Sequence, residues 1–183
     1  NFKATNGLPF VLQPGLSTTL TVQFSPTKEG ASMAIISLHS DDPLSPSYSF
    51  AVKGNAFQPK PDMELLGNAI KIAENDSTPS VTDNTEFGDL FIGLKKEHQF
   101  TILNSGTDNL DISSVSLSGD NESDFSVMGL SVFPLTLQAG TSTHFTIRFT
   151  PKAQGVRKSV LNIVSNVHNK NYSVTLKGNG QIS

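Results

Sequence analysis

The first third of the chain returns in its last third. Phe24-Ser25-Pro26-Thr27-Lys28-Glu29-Gly30 reappears as Phe149-Thr150-Pro151-Lys152-Ala153-Gln154-Gly155, and Lys53-Gly54-Asn55 reappears as Lys177-Gly178-Asn179. The two copies lie 125 residues apart at Gly15/Gly140 and Gly30/Gly155, and 124 apart at Gly54/Gly178. A period of that length is a whole domain and not one turn of a solenoid. The chain therefore reads as copies of one module, and the front copy lacks its beginning, since residues 1–56 align only with 125–180.

What the module is follows from its alternation. His98, Phe100 and Ile102 alternate with polar neighbours up to Asn104-Ser105-Gly106, and Phe145, Ile147 and Phe149 alternate with Thr146 and Arg148 up to Pro151. Such a period of two marks half-buried strands, and a proline that cannot donate to a ladder ends them. Further strands are expected over Met63–Ile72, Phe87–Ile92, Leu110–Leu117 (with a short break), Phe125–Val127, Leu135–Leu137, Val160–Val164 and Tyr172–Leu176. Turn residues separate them at intervals of about 8–12, the pattern of an antiparallel sandwich. No window offers a sustained helical apolar face. The fold class is all-β: tandem immunoglobulin-like antiparallel β-sandwiches, the first one N-terminally incomplete. Neither Trp nor Cys occurs, so an antibody-type Cys-Trp-Cys core is excluded.

The expected organisation is a C-terminal half-module at 1–56, a Pro-containing linker at 57–61 and a complete module at 62–181. In the front copy Leu20, Val22 and Phe24 match Phe145, Ile147 and Phe149, and Tyr48, Phe50 and Val52 match Tyr172, Val174 and Leu176. Half a sandwich cannot close a core. Upstream residues are expected to complete it; the alternatives are a strand donated by another chain, or a different, smaller domain. Two prolines in Phe57-Gln58-Pro59-Lys60-Pro61 make the linker short and stiff.

Composition excludes several functions. The net charge is −3, and no run of Lys or Arg exceeds two residues, which speaks against a nucleic-acid groove. No apolar stretch reaches the roughly 18 residues of a membrane span. Without cysteine there are no disulfides, thiolate metal sites or cysteine nucleophiles. No Gly-x-Ser-x-Gly elbow is present, and no catalytic residue is assigned.

Acidic loops are the candidate sites. Glu74-Asn75-Asp76 and Thr82-Asp83-Asn84-Thr85-Glu86 flank one polar stretch, and Asp120–Asp124 forms another. Calcium takes six to eight oxygens of this kind, and Asp76, Asp83 and Glu86 are the candidate ligands. The competing reading is local: Asn and Asp bond nearby backbone and so favour turns. The histidines, His39, His98, His144 and His168, lack metal-ligand spacing; His144 is expected to face solvent and His98 to cap the sandwich rim. Gly15, Gly30, Gly140 and Gly155 read as turn glycines.

The repeated residues resemble a known family. Leu137-Gln138-Ala139-Gly140-Thr141-Ser142-Thr143, Phe145-Thr146-Ile147-Arg148-Phe149-Thr150-Pro151 and Leu176-Lys177-Gly178-Asn179-Gly180 are similar to the choice-of-anchor D repeat, a bacterial relative of the ASPM/hydin-type, major-sperm-protein-like Ig modules. Asp83-Asn84-Thr85-Glu86-Phe87-Gly88 and Phe100-Thr101-Ile102-Leu103-Asn104-Ser105-Gly106 extend the resemblance toward the N-terminus. It implies a large secreted or surface-anchored bacterial protein built from repeats, with no catalytic residues. Asp76-Ser77-Thr78 also resembles a bacterial O-glycosylation site at Ser77. The expected role is structural or adhesive, in a stalk, filament or surface layer at the cell surface. Its partners would be neighbouring modules of the same protein, with self-assembly into multimers and neither nucleic acid nor membrane insertion. The alternatives are a glycan- or protein-binding module appended to a secreted enzyme, and a cytosolic scaffold of the hydin type.

Overall fold

A computed structural model of the protein describes residues 1–6, 11–130, 132–167 and 171–182. The chain divides into two compact units, Asn1–Gln58 (unit 1) and Pro59–Ser183 (unit 2).

Among its described residues unit 1 holds four strands: β1 (Phe2–Ala4), β2 (Val22–Phe24), β3 (Gly30–His39) and β4 (Ser47–Ala56). They form two separate antiparallel pairs, β1–β2 and β3–β4. Inward parity is kept, so Val22, Phe24, Ile36, Phe50 and Val52 are half-buried while their neighbours are exposed. None of the described residues of unit 1 is fully buried.

Unit 2 holds β5 (Met63–Gly67), β6 (Ile70–Ile72), β7 (Glu86–Phe91), β8 (Lys96–Asn104), β9 (Leu110–Ser118), β10 (Phe125–Met128), β11 (Leu135–Leu137), β12 (Ser142–Phe149), β13 (Gly155–Ser165) and β14 (Asn171–Gln181). The chain's helical structure, among the described residues, is a single 3-10 turn at Glu122–Asp124. Two five-stranded sheets result, in the orders β10-β12-β8-β5-β6 and β11-β9-β13-β14-β7. Period-two alternation gives each sheet one apolar face, and these faces form a single buried core that reaches from Met63 to Leu176. Phe87, Phe125 and Phe149 meet at one place in it, with ring centroids 4.8–5.7 Å apart. Burying a side chain of that size contributes roughly 1.5–3 kcal/mol, so these rings are major contributors to stability.

The structure differs from the sequence expectation in several places. Met63–Ile72 is a tight hairpin and not one strand, because Asn68 and Ala69 both take positive φ (51° and 62°), the geometry of a two-residue turn. Residues 110–118 form one continuous strand with no break. Leu20 lies outside β2, which is confined to the three residues that β1 pairs. Finally, β7 joins β14 in parallel register, while among the described residues every other strand pair is antiparallel. The polar stretch 73–85 leaves one sheet after β6 and enters the edge of the other at β7, which sets that direction.

The strands of unit 1 keep the registers of their counterparts in unit 2. Phe2 pairs with Phe24 as Phe125 pairs with Phe149, and the Gly30–His39/Ser47–Ala56 ladder matches Gly155–Val164/Asn171–Gly180 residue for residue. The ring pairs Phe2–Phe24 and Phe125–Phe149 lie 4.7 and 4.8 Å apart. Asn1 Nδ2 donates to Ser32 Oγ where Arg157 Nε donates to Asp124 Oδ2.

Candidate functional site

Asp76 and Glu86 lie along one seam, the edge of β14 that β7 and its preceding loop cover, and Asp83 lies in that loop between them. Asp76 forms an isolated parallel bridge with Val174, and its carbonyl accepts the Thr175 N–H at 2.9 Å. Its carboxylate turns back on its own loop: Oδ1 accepts the Thr78 N–H (2.8 Å) and hydroxyl (2.6 Å). Ser77, between them, is exposed. Asp83 is buried and repeats the device, its Oδ1 accepting from the Thr85 N–H (3.1 Å) and hydroxyl (2.6 Å). Thr85 in turn receives the Ser80 N–H on its hydroxyl and the Lys177 N–H on its carbonyl.

Glu86 looks across the seam. Its Oε1 accepts from Lys177 Nζ at 2.8 Å, with both side chains half-buried. Three residues on, Asp89 Oδ1 accepts from Asn179 Nδ2 at 2.7 Å. The Asn179 bond, reinforced by Gln181, holds the Asp89 carboxyl below the usual carboxylate range. Thus Asp76, Asp83 and Glu86 share an element boundary but each has its own local donor. Among the described residues no three His, Asp or Glu side chains form a group able to hold a metal ion.

His98 is half-buried and stacked on Phe87, with centroids 4.2 Å apart and rings 13° from parallel. Its Nδ1 lies 2.7 Å from the Asn84 carbonyl oxygen. Burial pushes its pKa below the ordinary 6.5, Lys96 adds to that, and the Asn84 bond opposes it. His144 is exposed beside Thr101, His39 is exposed on β3, and His168 lies outside the described residues. The other acidic loop ends at Asp124, which is buried under Arg157; its Oδ2 accepts from Arg157 Nε at 2.7 Å and from the Lys152 N–H at 3.1 Å.

Lys177, Asn179 and Asp89 are the seam residues that sequence reasoning did not single out. Lys177-Gly178-Asn179 was visible as a repeated string, but its partners lie about ninety residues away in sequence. Gly178 has a separate reason to be glycine, because a Cβ there would penetrate the ring of Phe149. At the matching Gly54 a Cβ would come within 2.7 Å of the Phe24 ring.

The stretch from Ser80 to Asn179, which holds the seam from the loop to β14, matches the family model of the HYDIN/CFA65/VesB-like Ig-like domain. The chain belongs to that family. No curated protein matches it. Among solved structures, a protein of unknown function from Porphyromonas gingivalis is 15% identical over 87% of this chain and 71% of its own, with a TM-score of 0.47. A family 123 glycoside hydrolase from Clostridium perfringens is 10% identical over 54% of this chain, which spans 23% of the hydrolase, with a TM-score of 0.43. The VesB protease of Vibrio cholerae is 19% identical over 52% of this chain and 29% of the protease, with a TM-score of 0.38. Among the described residues no helix is long and apolar enough to cross a membrane.

Proposed function

We propose that this family member is a non-catalytic structural segment of a larger extracellular protein, of the choice-of-anchor D kind. Its Ig-like modules serve there as spacers and contact surfaces, and unit 1 is the C-terminal half of a second module. One observation carries the reading: unit 1 keeps the strand registers, the Phe–Phe contact and the glycine-under-phenylalanine packing of unit 2. A module that recurs with its packing details intact suits an array, where the task is length and mechanical resistance. The seam fits this, since Glu86 and Asp89 tie β7 to Lys177 and Asn179 of β14, while Asp76 and Asp83 are engaged within their own loop.

Single-molecule extension of the whole chain between its ends tests the proposal. Unit 2 should yield in one discrete event releasing about 400 Å of contour, given roughly 3.3–3.6 Å per extended residue. Gradual extension with no such event would overturn the mechanical reading. Saturable retention on insoluble polysaccharide would replace it with a binding module.

A further inference from the structure

We propose that unit 1 is an acceptor for an acidic extended segment, a strand of the β7 type that runs parallel to β4 and sets carboxylates against Lys53 and Asn55. This deepens the reading above and rests on unit 1 being half a module. Unit 2 shows what covers the matching edge. Along β14, Lys177 sits beside Glu86 and Asn179 beside Asp89, and the Thr175 and Lys177 N–H groups donate to the Asp76 and Thr85 carbonyls.

In β4 the same positions hold Ala51, Lys53 and Asn55. Lys53 and Asn55 are exposed; among the described residues Lys53 makes no ion pair, and the Ala51 and Lys53 N–H groups have no acceptor beyond the β3–β4 ladder. An open row of donors beside a lysine selects a strand that brings carbonyls and carboxylates together. Glu86-Phe87-Gly88-Asp89 has that form: two acids three residues apart, and an apolar ring turned into the core between them.

Count argues against a second folded copy as the occupant. Each chain carries two acceptor strands of this kind, β4 and β14, but only one such donor, β7, among its described residues, and β14 already holds it. The occupant is therefore a further segment with the acidic pattern of β7.

The probe is a peptide covering residues 80–91 of this sequence, added to the whole chain, with amide hydrogen exchange read at Ala51 and Lys53. At about ten times its Kd the peptide should slow those two amides about tenfold. A peptide carrying Glu86→Lys and Asp89→Lys should have no effect. A fusion of residues 59–123 ahead of Asn1 raises the effective concentration, so weak affinity cannot hide the result. In it Ala51 and Lys53 should reach the protection of Thr175 and Lys177, and Lys53→Glu should lower that gain several-fold. Unprotected amides in the fusion would overturn the proposal. So would equal protection by the charge-reversed segment, or protection that rises with the concentration of the unmodified chain, which would make a second copy the occupant. None of these results alters the unfolding event of unit 2, so failure of docking is distinguishable from failure of the spacer reading.

Discussion

Beneath Phe149 the backbone of β14 leaves no room for a side chain at Gly178, whereas Phe24, above Gly54, is only half-buried and can move aside. Gly178→Ala should therefore cost about 1–3 kcal/mol by overpacking, read as a lower urea midpoint. Gly54→Ala should leave that midpoint in place. His98 responds to pH instead. Its pKa is lowered in the fold, chiefly by burial, so the folded state binds fewer protons than the unfolded one below the ordinary 6.5. Its contribution is fully present above about 6.5 and is lost as pH falls through the depressed value. Urea titrations from pH 7.5 to 5.5 should show the midpoint falling at the acid end. His98→Gln, with an amide that can donate to the Asn84 carbonyl, should flatten that part of the curve. An identical slope in both proteins would assign the effect to other groups.

Among the elements, the β7–β14 seam decides how the acidic residues act. Glu86 and Lys177 are half-buried, so their pairing is worth about 0.5–1 kcal/mol, a coupling measurable by a double-mutant cycle with Glu86→Gln and Lys177→Met. With Asp76, Asp83 and Glu86 each bonded to a local donor, addition of EDTA should leave the melting temperature of the whole chain unchanged; a drop would restore a calcium site. Strands were legible in the sequence wherever one face is buried, because alternation there is dictated by the core, as in Phe145-Thr146-Ile147-Arg148-Phe149. The hairpin at Asn68-Ala69 was hidden because neither of the two residues that take positive φ is glycine. The parallel pairing of β7 was hidden because it joins residues some ninety positions apart, and no local pattern encodes it. The sequence marked Asp76, Asp83 and Glu86 as unusual, but their partners Thr78, Thr85 and Lys177 come only from loop geometry and strand register. Leu20 kept the parity of a strand residue, yet a strand also needs a neighbour to pair with. At the matching position in unit 2 that neighbour is β8, which pairs with Phe145 through Phe100.

Across the whole chain, core formation is confined to one unit. Among the described residues every fully buried apolar side chain lies between Met63 and Leu176, while unit 1 has two-stranded ladders with no residue out of solvent. Two-stranded ribbons whose apolar face is only half covered are marginal in water, so the ladders of unit 1 open by local fluctuation. Amides of β8, β12, β13 and β14 should accordingly exchange only through global unfolding of unit 2. Those of β1 to β4 should exchange far faster under the same conditions. Denaturation should reflect the same division. The urea m-value scales with the surface exposed on unfolding, and here the fully buried part of that surface belongs to unit 2. A version beginning at Pro59 should keep both the m-value and the midpoint of the whole chain, because the core it retains is complete. A smaller m-value in the shortened protein would mean that unit 1 buries apolar surface of its own before any segment docks on β4. The acceptor edge would then be a finished surface, and the half-module reading would fall with it.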